Sequence, residues 1–471
     1  MRSPSGSGFP WLGALVLAGA VAYLPALGGV FTFDDYSWIV QNPHVLDLAS
    51  YGWQRRPLTL LTFAANLSLH GANPVGFHAL NIALHLANAI LVFHLLRKTV
   101  PATLERPWLA AFGAALFLLH PAQTDAVTYI SGRATSLMTF WILVAHLAAL
   151  HSLEHHCRRW TVISVAAFAL AVASKEIALA YPVMLAGWLM AGGGRSLRAS
   201  AKAVLPHLLA AAGIILVMVV HPGYRQLLGE AANSGRSAAS PVSRFEGRLG
   251  LGFCFNHGLP RTESCLAARV EGLAGLARVL VLPWNTSIDH GRRSVGLRDG
   301  LLVAALGWAF FAALRTAPSG LAAGAAWIVA SLLPSNLLIV RSDPVADRLL
   351  HLPMVGIALM AVTAAVGLSG RVAWRSLAAA GSMVLLMLAA LTMMRNTQYQ
   401  SEVVVWEDAV RKAPSNPRAR VNLGYAYELA GDLDKAEQEY RSAQALSPGL
   451  RWAELGLLAI GTKRHEVDGR R

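Results

Sequence analysis

Residues 9–36 read FPWLGALVLAGAVAYLPALGGVFTFDDY: an unbroken apolar run over 9–30, then two adjacent carboxylates, Asp34 and Asp35. About 20 apolar residues are what a helix needs to cross the hydrocarbon core of a bilayer. Charges are costly inside that core and neighbouring carboxylates repel, so the pair marks the point where the chain has reached the far face. The run exceeds the roughly 7–15 residues of a signal-peptide core, and further runs follow it, so it reads as a retained span.

The rest of the chain repeats the pattern. Charged residues make up 14% of it and hydrophobic ones 55%, with a mean hydropathy of +0.46. An ordinary soluble domain is about 25% charged. Apolar runs at 9–30, 76–96, 108–121, 134–150, 160–173, 177–191, 203–221, 300–314, 321–340, 349–367 and 376–394 predict an all-α polytopic membrane bundle of about eleven spans. The stretch 269–283 is a further span or an interfacial helix.

Lys and Arg in short loops set the orientation. With the N-terminus inside, Arg97, Lys98, Arg106, Arg158, Arg159, Arg195, Arg198, Lys202, Arg371 and Arg375 fall on the cytoplasmic side. An odd span count then places the 31–75 and 222–299 segments and the C-terminal tail outside, on the periplasmic face of an inner membrane. The net charge of +14 fits this topology and contact with anionic lipids. Interleaved basic and aromatic residues on a soluble face, the mark of a nucleic-acid binder, are missing. Cys254 and Cys265 share the long outer segment and form a candidate disulfide, against the alternative of three unrelated thiols with Cys157 on the reducing side.

The membrane domain is expected to end near residue 395. Beyond it, Leu423-Gly424, Tyr427, Gly431-Asp432, Ala436, Tyr440, Ala443 and Pro448 follow the spacing of a tetratricopeptide repeat. A 34-residue offset matches Trp406 to Tyr440, Pro414 to Pro448 and Leu423 to Leu457. The expectation is a repeat-like helical tail over 402–461 that leans on the membrane domain or a partner, followed by a disordered stretch at 462–471.

Several polar groups stand out against this background. The Asp34/Asp35 pair can bind a divalent cation, act as a general base or simply begin a loop. Arg56 is placed to hold a lipid phosphate or to anchor the membrane surface. His78, Asn81, His85 and Asn88 line one face of a span, spaced for interhelical hydrogen bonds or for a polar cavity. His120, Asp125 and Arg133, then Lys175 and Glu176, then Arg341 to Arg348, return to the outer side in successive turns. Together they suggest a site at the outer interface.

In order along the chain, Phe33-Asp34-Asp35, Asn42-Pro43-His44, Arg56-Pro57-Leu58-Thr59, Asn73-Pro74-Val75-Gly76-Phe77-His78, Asn81 to His85, His120-Pro121, Ser174-Lys175-Glu176 and the closing repeat resemble the transmembrane-and-TPR (TMTC) group. The resemblance implies a GT-C-type fold, like that of polyprenyl-phosphate-sugar glycosyltransferases. It implies transfer of sugar from the lipid-phosphate donor to a protein Ser or Thr hydroxyl. Asp125 stands where relatives often carry Glu, no acidic residue follows Arg133, and the repeat tail is short.

On this reading the transfer is inverting. Asp34 or Asp35 acts as base, and Asp125 is a further catalytic carboxylate. Arg56, Arg133, Lys175 or Arg348 stabilises the departing phosphate. His78, Asn81, His85, His120 and Glu176 line the cavity, and the tail docks the acceptor protein. No cofactor is implied, though Asp34 and Asp35 permit a divalent cation. The rival readings are a non-catalytic membrane scaffold and a transporter of polyprenyl-linked sugar.

Overall fold

The computed structural model describes residues 8–47, 56–191, 196–220, 265–338 and 343–468, and among them there is helix and no strand. Each of the eleven apolar runs contains helix. Six helical stretches are long and apolar enough to cross a membrane by length and composition: Phe9–Gly28, Pro74–Thr99, Ile130–His155, Leu197–Val220, Leu297–Arg315 and Trp374–Gln398. The chain is a multi-pass membrane protein.

The other runs form shorter helices, and burial explains why that is tolerated. Pro107–Leu119 has 13 residues, about 20 Å of helix against a core of about 30 Å. Its Leu109, Ala110, Phe117 and Leu118 are completely buried, so it is surrounded by protein, where the chain can leave helical geometry without exposing backbone to lipid. It does so at once, breaking into short turns over 120–132 before the helix Arg133–His155 begins. At the other extreme, the most apolar window of Leu297–Arg315 buries nothing inside the protein. That helix lies at the periphery.

The polar face of Pro74–Thr99 knits the centre together. Asn81 Nδ2 donates to the Val127 and Ile130 carbonyls at 2.9 and 3.3 Å, and Asn88 Nδ2 to the Ser136 carbonyl at 3.0 Å. His85 Nε2 lies 3.0 Å from the Leu118 carbonyl. The Asn81 and His85 bonds reach carbonyls that the broken helices leave open, and the Asn88 bond joins the span to the helix Arg133–His155.

After Trp374–Gln398 the chain forms the helices Glu402–Lys412, Pro417–Leu429, Leu433–Leu446 and Arg451–Asp468. Ser401, Asn416 and Asp432 cap the first three by accepting backbone N–H groups. The Tyr440 ring fills the space beside Gly424 and Gly456, where an added Cβ would lie 2.9 and 2.4 Å from it. Gly456→Val is therefore expected to loosen the last helix, seen as faster limited proteolysis after residue 446 with the membrane domain intact. The disordered stretch expected at 462–471 is corrected as far as Asp468. The last helix runs on to that residue, because Lys463 pairs with Glu428 at 2.9 Å and Arg464 with Asp434 at 2.6 Å.

The tail is fastened to the membrane domain by buried charge. Arg395 and Asp408 pair at 2.8 Å, both almost fully buried, and Asp408 also receives Lys412. Lys412 reaches the Thr286 carbonyl, Arg418 pairs with Asp289 at 2.6 Å, and the Tyr36 hydroxyl bonds Glu402. Cys254 lies outside the described residues, as does the side chain of Cys265, so the expected disulfide does too.

Candidate active site

The turns that follow successive apolar helices meet at one end of the bundle, and the acidic pair sits among them. After Phe9–Tyr23 the chain passes through a short 3-10 turn, Leu24–Gly28, and bends sharply at Phe33, whose φ of 52° is costly for a residue with a Cβ. The Phe33 ring packs edge-on against Trp406 of the tail at 5.5 Å, which holds the bend. That bend sends Asp34 and Asp35 in different directions.

Asp35 turns inward and is completely buried. Its Oδ2 accepts the Thr32 N–H at 3.0 Å, and its Oδ1 accepts the Ser131 N–H at 2.7 Å and the Ser131 hydroxyl at 2.5 Å. It ties the first outer turn to the second. Burial pushes its carboxyl up to about 7, against the pull of the Ser131 and Thr32 hydrogen bonds. Folding then takes up a proton between pH about 4 and about 7, so this group's contribution falls as pH rises across that window. The thermal midpoint in detergent should decline from pH 5 to 7, and Asp35→Asn should remove that part of the slope.

Asp34 is the other case. It is half-buried, and its side chain has no hydrogen bond or ion pair among the described residues. Its charge acts on the buried Tyr129 phenol and on the Arg348 guanidinium. Arg348 is fixed by Asp125, which accepts the Arg348 backbone N–H at 2.9 Å and Nη1 at 3.2 Å, and by Asp343 at 3.2 Å. Burial by itself would lower the Arg348 guanidinium, but Asp125 and Asp343 hold it above its ordinary range. Asp125, 1% exposed, thus directs both oxygens at Arg348 and holds it in place. A cation shared by Asp34 and Asp35 fits poorly, since both oxygens of Asp35 are already engaged.

The expected phosphate ligands divide in two. Arg56, itself at a φ of 57°, lies over the Trp38 ring and pairs with Glu176 at 3.1 Å, its side chain 30% exposed. Burial would raise the Glu176 carboxyl, yet Arg56 holds it below the ordinary value. Lys175, next in the chain, donates to the Thr135 hydroxyl at 2.7 Å. Arg133 is different and corrects the expectation for it. It is fully buried, and its guanidinium is spread over Asn81 Oδ1 at 2.6 Å and the Thr62 and Phe77 carbonyls at 3.1 Å, with Phe63 and Phe77 on its faces. It braces three segments and offers no open fork to a ligand.

The cavity-lining group is likewise reassigned. Asn81 and His85 bond backbone carbonyls in the core. His120 joins the Leu280 carbonyl at 3.2 Å and accepts the Ala122 N–H. His78 is buried against Gly29, and Glu176 belongs to the Arg56 pair. Asn81, His85, His120 and Glu176 are thus engaged by backbone groups or by Arg56, whereas both ring nitrogens of the buried His78 have no hydrogen-bond partner among the described residues. Missed from sequence were His290 and Asp347, joined at 2.6 Å, with the Ser287 N–H on the second Asp347 oxygen at 2.9 Å. Asp347 adjoins Arg348, so a buried dyad backs the same site. The usable signal was Asp289-His290 standing in a short polar stretch between two helices.

A polytopic helical membrane protein with a cluster of buried and half-buried ionisable side chains where several turns meet at one end of the bundle is the class that fold and site define. Similarity in sequence narrows it. The chain is 27% identical over 92% of its length to a protein O-mannosyl-transferase of Caenorhabditis elegans, 36% identical over 33% of its length to TMTC1 of Homo sapiens, and 26% identical over 91% to TMTC3 of Mus musculus. It is thereby a relative of the transmembrane-and-TPR O-mannosyltransferase group. The chain spans 62%, 20% and 50% of those relatives. No protein-family model matches it. Among solved structures, ArnT from Cupriavidus metallidurans bound to undecaprenyl phosphate aligns with 98% of the chain and 78% of its own, at a TM-score of 0.49 and 16% identity.

Proposed function

We propose that the chain is a GT-C-type glycosyltransferase that moves a sugar from a polyprenyl-phosphate donor to a Ser or Thr hydroxyl of a protein, at the periplasmic face where Asp34 sits. The observation that carries this reading is the isolation of Asp34. It is a half-buried carboxylate with no hydrogen bond or ion pair among the described residues, next to a strained turn and within electrostatic reach of a guanidinium that two other acids keep in place. A residue so supported is fitted to accept a proton from a bound hydroxyl.

In the proposed step the acceptor oxygen attacks the anomeric carbon as its proton passes to Asp34. The bond from that carbon to the lipid phosphate breaks, and the phosphate leaves as an anion. One displacement inverts the anomeric centre. Arg348, or the Arg56 and Lys175 pair of cations, stabilises the departing charge in a site shielded from water. The tail, fixed to the same face through Arg395, Lys412 and Arg418, lies where an acceptor protein meets the site. The test is intact-mass comparison of periplasmic proteins from a strain lacking the gene and from strains complemented with the wild type or with Asp34→Asn. Hexose or pentose increments restored by the wild type alone support the reading; identical spectra in all three remove it.

A further inference from the structure

The end of the bundle away from Asp34 carries a group of side chains with no part in that chemistry. The helix Arg133–His155 starts beside Ser131 and extends 23 residues, about 33 Å. Its last turn presents His151, Glu154 and His155. Positions i, i+3 and i+4 share one helix face. Ring nitrogens of both histidines and a carboxylate oxygen of Glu154 all lie within 4.8 Å of one another.

We propose that His151, Glu154 and His155 form a binding site for a divalent transition metal of the zinc class. Two imidazoles and one carboxylate are a donor set such ions accept, leaving a fourth position for water. Donors around a zinc ion sit about 2.0–2.2 Å from it, so small side-chain rotations close the present spacing. The neighbours suit the role. The His151 and His155 rings already lie side by side, centroids 4.2 Å apart and tilted by 46°, and Trp160 packs edge-on against His151 at 4.5 Å, limiting its rotation. Lys98 from the Pro74–Thr99 helix holds Glu154 Oε2, as outer partners hold ligating carboxylates, and leaves Oε1 for the ion. Glu154 and His155 are exposed and His151 half-buried, so an ion has access. The helix ends there, with His156 at a φ of 50° turning the chain into the next helix, so a bound ion would pin the joint between two helices.

The experiment is a titration of the full-length, tag-free chain in detergent with Zn2+ alone, repeated with Co2+ to read ligand-field absorption. One stoichiometric site is expected, lost in His151→Ala/His155→Ala and weakened in Glu154→Gln. Because these side chains sit at an accessible helix end, the single variant His155→Gln gives a second reading should the double variant fold poorly. Absence of binding by the wild type, or unchanged binding by both histidine variants, overturns the proposal. Sugar transfer is not the readout, so the outcome is independent of the function proposed for Asp34.

Discussion

Asp34→Asn is expected to lower turnover by about 10²–10⁴-fold, the usual contribution of a positioned general base. That range corresponds to about 2.7–5.4 kcal/mol of activation free energy. Donor binding should change little, because the amide keeps the side chain's size and Arg348 keeps its own partners, Asp125 and Asp343. Asp35→Asn should behave in the opposite way. Its carboxylate accepts from Thr32 and Ser131, and an amide NH2 turned toward either N–H leaves two donors facing each other. That variant is expected to lose thermal stability first, and activity only with the fold. Single-turnover transfer by purified protein, alongside detergent melting curves, separates the two. Full turnover from a correctly folded Asp34→Asn variant would falsify the assignment.

The second large effect is on stability. Arg133→Ala strips donors from Asn81 Oδ1 and from the Thr62 and Phe77 carbonyls, all near the core. Asn81 Oδ1, left unpaired in the core, costs about 1–3 kcal/mol, while the two carbonyls, which lie inside helices, lose only their second donors. The loss of guanidinium packing on Phe63 and Phe77 adds to that. The sum is a large share of the roughly 5–15 kcal/mol that hold a typical domain folded. Yield and melting temperature should therefore fall steeply. Arg133→Lys should not rescue them, since one ammonium cannot span acceptors arranged for a planar fork. Were Arg133 a donor-phosphate ligand instead, the alanine variant would keep its stability and raise the donor KM, a result measurable in the same preparations.

Much of the candidate site was legible because charge at a membrane is expensive. An ionisable residue at the end of an apolar run announces itself, so Asp34, Arg56, Asp125, Lys175 and Arg348 all drew notice. Their pairings did not. Asp125 lies 223 positions from Arg348, and Asp35 lies 96 from Ser131. No local pattern encodes such contacts. The polar face at His78, Asn81, His85 and Asn88 left two readings open, and the carbonyl contacts of Asn81, His85 and Asn88 favour the interhelical bonds, while the buried His78 makes none among the described residues.

What the sequence by itself determined is the class: long apolar runs can be satisfied only as helices in a bilayer, and the clustering of charge at their ends follows from the cost of placing it anywhere else. What only the tertiary structure decided is which of two adjacent aspartates is left over. One backbone bend at Phe33, held by Trp406 of a distant helix, buries Asp35 in hydrogen bonds and leaves Asp34 without a side-chain partner among the described residues. Neighbours in a chain share composition and position, but not environment, and environment is what gives a carboxylate its chemistry.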